Sequence, residues 1–173
     1  VFEAAIRAYL TLASEHPQST QAVKGLYRCG TLNLQQVFDL DRAKRCFQRL
    51  LDQYPNSSYR TDALFRLSEV AIAQGNLELA QKTLLQLNRE GDKSRHQVRL
   101  MQAYVSLYQG KISDCRRTLN TILEPESIDL KDETINDALE LKMLIDSAAD
   151  SATLDLYGKA RFYRDQHRYE QGL

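Results

Sequence analysis

The side chains best suited to chemistry are scattered along this sequence. Three histidines, His16, His96 and His167, lie 80 and 71 residues apart and fall in expected linkers or turns. None has a second ligand at helical spacing, so no metal site is expected. There is no Gly-rich phosphate loop, no Gly-x-Ser-x-Gly elbow and no His-Glu-x-x-His. The cysteines, Cys29, Cys46 and Cys115, are odd in number, lack Cys-x-x-Cys spacing and each sit in an apolar helical context. They read as small buried apolar residues or, for the first two, as a Cys29–Cys46 disulfide. Free thiols favour a reducing compartment. Cys115 has no nearby His to activate it, so a nucleophile is not expected. Glu124–Glu133 carries five carboxylates around Pro125 but no Asp-x-Asp-x-Asp-Gly, and reads as a solvated connector rather than a calcium loop. The expectation is a protein that is not an enzyme and holds no cofactor and no metal.

Two basic clusters stand out: Arg42, Lys44, Arg45 and Arg49 on one helix, and Arg89, Lys93, Arg95 and Arg99 around a linker. They read as solvated convex surface, or as contacts for an anionic partner. The totals of 23 basic and 23 acidic side chains give no long-range pull toward nucleic acid or an anionic membrane. No apolar run approaches the length of about 18 residues that spans a bilayer. The chain begins Val-Phe-Glu, without Met or signal peptide, and so reads as an excerpt whose ends say nothing about location.

With 173 residues, 43% of them apolar, and only 3 Pro and 7 Gly, the composition favours long helices around a packed core. Three similar strings locate them: Asp39–Phe47, Asn76–Leu84 and Lys111–Leu119. In each, a small residue lies between large apolar residues three before and four after it, which is one face of an α-helix. Phe2, Ala5 and Tyr9 repeat the step at the start. The small residue marks a register at Ala5, Ala43, Ala80 and Cys115, with steps of 38, 37 and 35 residues. Twelve residues before the last three marks lie Thr31, Ser68 and Ala103, so two helices can approach closely at each pair. Short polar turns separate them at Phe38-Asp39, Gln74-Gly75-Asn76 and Gln109-Gly110-Lys111, with Gly75 and Gly110 suited to a left-handed helix end. Pro17 and Pro55 stop two of the second helices.

This phase resembles the tetratricopeptide repeat, in which small residues fill the eighth and twentieth places, a bulky one the twenty-fourth, and a Pro closes the unit. Thr31, Ser68 and Ala103 match the eighth place; Ala5, Ala43, Ala80 and Cys115 the twentieth; Tyr9, Phe47, Leu84 and Leu119 the twenty-fourth. The eighth place lacks Gly, the third unit lacks Pro, and the segments near 18–22 and 56–60 are longer than usual. The resemblance implies an all-α, right-handed superhelical solenoid of antiparallel helix hairpins: a half repeat at 1–17, then repeats at 18–55, 56–92 and 93–123. The Tyr54-Pro55-Asn56-Ser57 link is similar to that of bacterial cell-envelope members, which implies a periplasmic or outer-membrane setting over a cytoplasmic one.

Beyond it come the acidic loop at 124–133, an inserted helix at 134–148 capped by Thr134 or Asp132, and a truncated final repeat at 149–173, with Ala160, Tyr169 and Gly172 as its marks. A rival reading pairs 134–148 with 151–166 as a plain hairpin. Open ends would expose apolar faces and favour self-association.

The resemblance also implies a concave groove lined by the first helices, at Arg28, Leu32 and Gln35, then Phe65, Glu69 and Ile72, then Leu100, Tyr104 and Tyr108. An extended peptide or a helix fits such a strip; the same residues could instead pack between repeats. The family's carboxylate clamp would fall at Arg28, Leu32, Arg66 and Met101, where only the arginines serve, so that function is discounted. The expected role is an interaction scaffold within a larger bacterial protein, with a protein or peptide partner, no nucleic acid and no membrane insertion. The alternatives are a structural spacer or self-assembly segment, or an accessory domain of a regulator or enzyme.

Overall fold

The computed structural model describes residues 2–90, 95–124, 132–148 and 150–168. Its helices are α1 (Phe2–Glu15), α2 (Thr20–Leu32), α3 (Leu40–Gln53), α4 (Arg60–Ala73), α5 (Leu77–Glu90), α6 (Arg95–Tyr108), α7 (Ile112–Ile122), α8 (Glu133–Ser147) and α9 (Ser151–Asp165). No strand occurs among the described residues. They fall into two compact units, Val1–Gln74 and Gly75–Leu173, and the division lies in the turn inside the expected 56–92 repeat.

In the first unit each helix packs on the next: α1 on α2, α2 on α3, α3 on α4. The connections follow from local chemistry. The Ser19 hydroxyl caps α2 by accepting from the Ala22 N–H, which satisfies a donor that the first helical turn leaves orphaned. Asp39 does the same for α3 through the Arg42 N–H. Phe38 takes the left-handed conformation there (φ 59°). Tyr54 Oη donates to the Pro17 carbonyl at 2.7 Å, so the closing residues of α1 and α3 meet. At the opposite end Arg42 pairs with Glu3 at 3.0 Å, and between them Arg49 donates to the Ala13 carbonyl at 3.1 Å. α1 and α3 therefore run parallel, with α2 reversed between them. Half of the first basic cluster thus staples α1 to α3, while Lys44 and Arg45 remain exposed.

The register marks land in the core. Ala43, Ala80 and Cys115 are fully buried, as are Ser68 and Ala103. Ala5 is only half-buried. α2 packs tightly on α3 at Gly30, next to the Thr31 mark: a Cβ on Gly30 would lie 2.5 Å from the Phe47 ring. α2 also ends in a π-helical turn, Asn33–Val37, which the periodicity did not announce. There buried Asn33 donates through Nδ2 to the Cys29 carbonyl at 2.8 Å. Cys29 and Cys46 are joined as a disulfide between α2 and α3, Cα to Cα 6.3 Å, with sulfurs packed by Ile6 and Tyr9. Cys115 is the buried free thiol. Burial pushes its pKa up to about 12, which keeps it protonated and unreactive.

In the second unit α6 is the central helix, and α5, α7, α8 and α9 all pack on it. Gly110 (φ 70°) makes the left-handed turn into α7, as its position predicts, and Gly75 (φ 77°) does so before α5. Asp132 caps α8 by accepting from the Thr134 N–H, and Asp150 caps α9 through Thr153. α8 buries Ile135, Ala138, Leu141 and Ile145 against Cys115, Leu119 and Ile122. α9 packs closely on α6 at Gly158, where a Cβ would sit 3.2 Å from the Leu107 carbonyl; the expected mark, Ala160, is half-exposed. Residues 125–131, most of the acidic connector, and the marks Tyr169 and Gly172 lie outside the described residues.

Candidate partner-binding face

The nine positions expected to line a groove separate into two kinds. In the first unit, Arg28 on α2 and Gln35 in the π turn are exposed, and Leu32 on α2 and Phe65 on α4 are half-buried. Glu69 forms an ion pair with Arg66 at 2.8 Å, and Tyr27 lies near the same guanidinium. Burial alone would lower the Arg66 pKa, but Glu69 and the Tyr27 hydroxyl outweigh it and hold the group charged. Ile72 is buried in the core, which corrects its expected place on an open surface.

The second unit departs further from expectation. Leu100 and Tyr104 belong to the core beneath α8 and α9, not to an open strip. The Arg161 guanidinium lies 3.8 Å from the Tyr104 ring centroid. Burial pushes the Tyr104 pKa up to about 12. Tyr108 packs on Phe162 at 5.2 Å and donates its hydroxyl to Asp165 at 2.5 Å; burial, then the adjacent carboxylate, raises its pKa well above the usual tyrosine value. Here α9 of the same chain covers the residues suited to holding a partner. The local pattern around residue 104 carried no signal for this, because the covering side chains lie more than 50 positions away.

Sequence reasoning also missed a pocket in the first unit. It has a volume of about 480 Å³. Phe2, Ala5 and Tyr9 of α1 form one wall. Tyr27, Thr31 and Leu32 of α2 form the other, Tyr59 closes the end, and Lys24 and Arg28 stand at the margin. Tyr27 is held in place from two sides, 5.1 Å from the Tyr59 ring and 6.1 Å from Phe47. The signal available in the sequence was the Phe2-Ala5-Tyr9 stripe.

No metal-holding group of three or more His, Cys, Asp or Glu occurs among the described residues. His16 and His167 are exposed. His96, in the first turn of α6 rather than in a linker, pairs with Asp132 at 3.1 Å. No described helix is long and apolar enough to cross a membrane. Arg99 is half-buried, and the side chains of Arg89, Lys93 and Arg95 lie outside the described set.

Packed helices with small residues at a recurring register define a helical repeat protein. Residues 34–104 match the family model described as Tetratricopeptide repeat, which supports repeats of that kind over the stretch. No curated protein matches the chain.

Proposed function

We propose that the chain is a protein–protein interaction scaffold that holds a peptide or helix of another protein along the face shared by α2 and α4 of its first unit. The family is in general a non-catalytic interaction module. The observation that carries the reading is the contrast between the two strips. Tyr104 and Tyr108 are taken up by α9, whereas Arg28, Leu32, Gln35 and Phe65 remain open or half-open. A guanidinium beside apolar and aromatic surface is the composition that anchors protein contacts. The neutral total charge points to a protein rather than a nucleic acid as the ligand.

Self-association is the second reading, favoured by Phe2, which is 44% exposed at the end of the α1 stripe. Affinity capture by the tagged chain in its own host tests the first. Gln35→Arg and Phe65→Ala are expected to lose the captured partner while circular dichroism retains the helical signal. Unchanged capture by both variants would sink the reading.

A further inference from the structure

Of the helices packed on α6, α8 and α9 use different side chains. α8 brings Ile135, Ala138, Leu141 and Ile145, all aliphatic and all buried, into the core that holds Leu119 and Ile122. α9 brings Leu154, Gly158, Arg161, Phe162 and Asp165, which fall on one face of the helix.

The contacts of α9 are those of a docked ligand. Gly158 allows a close approach beside Leu107. The Arg161 guanidinium lies over the Tyr104 ring, Phe162 packs against Tyr108, and Asp165 accepts from the Tyr108 hydroxyl. Cores concentrate aliphatic side chains, whereas binding interfaces concentrate arginine and aromatic ones. The docking also leaves polar atoms unsatisfied. Arg161 Nε and Gln166 Oε1 are buried with no hydrogen-bond partner among the described residues, and each such orphan weakens the contact that buries it.

We propose that the Tyr104–Tyr108 strip of α6 is a helix-binding face that α9 occupies in cis, as a displaceable stand-in for the helix of a partner protein. The partner helix carries the pattern of α9: a small residue, then Arg three, an aromatic four and an acidic side chain seven positions later. Anchors at these steps are those of a helix laid in a groove. α9 and the partner compete, so the face opens only in the fraction of molecules whose α9 has lifted, and the apparent affinity for the partner is scaled by that fraction. The face lies in the second unit, so the proposal goes beyond the α2–α4 reading and does not rest on it.

The test uses a labelled peptide of residues 150–168 as the partner helix. Fluorescence anisotropy compares the 173-residue chain with two variants that loosen α9 and leave α6 untouched. Gly158→Val places side-chain atoms where the Leu107 carbonyl already stands 3.2 Å from a Cβ. Arg161→Glu combined with Asp165→Lys reverses the two charged contacts. Both variants are expected to bind the peptide saturably and on the order of tenfold more tightly than the unsubstituted chain, because the cis competitor is weakened. A peptide carrying Arg161→Glu and Asp165→Lys should bind each of them on the order of tenfold more weakly than the native peptide does. In the unsubstituted chain, amide exchange should show α9 opening while α6 and α7 stay protected.

No saturable binding by a variant that keeps α6 and α7 protected, or equal affinity of the variants and the unsubstituted chain, would overturn the proposal. Loss of protection in α6 and α7 together with α9 in both variants would also overturn it, since α9 would then be part of the core. A sedimentation dimer that the peptide dissolves would make the occupant a second copy and overturn it as stated. No captured partner enters the test, so this proposal and the α2–α4 reading fail separately.

Discussion

The guanidinium of Arg161 on α9 lies 3.8 Å from the centre of the Tyr104 ring on α6. One turn along α6, Tyr108 donates to Asp165, so two consecutive side chains of the same strip are engaged by α9. The contact is half-buried on the arginine side and buried on the tyrosine side, which strengthens a cation–π interaction relative to an exposed one. Arg161→Ala is expected to cost about 1–2 kcal/mol in urea unfolding. Tyr104→Ala is expected to cost more, about 3 kcal/mol, because it also opens a cavity. A Tyr104→Ala chain of unchanged stability would return that residue to an open surface.

Alkaline pH reads the same cluster. Burial holds Tyr104 protonated to about pH 12, against a value of about 10 in an unfolded chain. Between these values the unfolded state releases a proton that the folded state keeps. Stability is therefore fully present below pH 10 and is lost as pH rises toward 12. The prediction is that tyrosinate absorbance rises in two stages, the exposed tyrosines first and Tyr104 and Tyr108 together with loss of helicity.

Gly30→Ala sets two effects against each other. Alanine is the better helix former by about 1 kcal/mol. Its Cβ, however, would fall 2.5 Å from the Phe47 ring, which is itself fully buried and cannot retreat into solvent. Overpacking of this kind costs about 1–3 kcal/mol, so net destabilisation is expected. A second variant, Phe47→Leu on the Gly30→Ala background, should recover part of the loss. Ala80→Leu, at another fully buried register mark, should be destabilising by a similar amount. An unchanged melting temperature there would contradict the register.

The thiols make a third case. Cys29 and Cys46 lie 17 positions apart in sequence, a loop for which cross-linking restricts the unfolded chain by about 3 kcal/mol. Reductant should lower the urea midpoint accordingly. Cys115 should resist alkylation until the second unit unfolds, since it is fully buried and its thiol ionises only near pH 12.

Much of the fold was legible because it is written locally. The three-then-four spacing around Ala43, Ala80 and Cys115 marks the face that each second helix buries, and Gly75 and Gly110 mark turns that need positive φ. Close approach was less legible. Thr31 occupies the expected small position, yet Gly30 faces Phe47, a shift of one residue that the apolar pattern does not resolve. The candidate site was the least legible part. Arg28 and Leu100 hold corresponding places in the first helices of the expected 18–55 and 93–123 repeats. One stays exposed and the other is buried under α8 and α9. Which side of a helix receives a distant segment depends on chain far away in sequence, so periodicity names the strip without saying what covers it.

Site-specific photo-crosslinking in the host cell tests the central claim most directly. A photoreactive amino acid replaces Leu32, on the pocket wall, or in separate chains Arg117, an exposed residue of α7. The account predicts a discrete covalent adduct to another protein from position 32 and none from position 117. Adducts from position 117 alone, or from neither position under conditions where the tagged chain captures a partner, would contradict it.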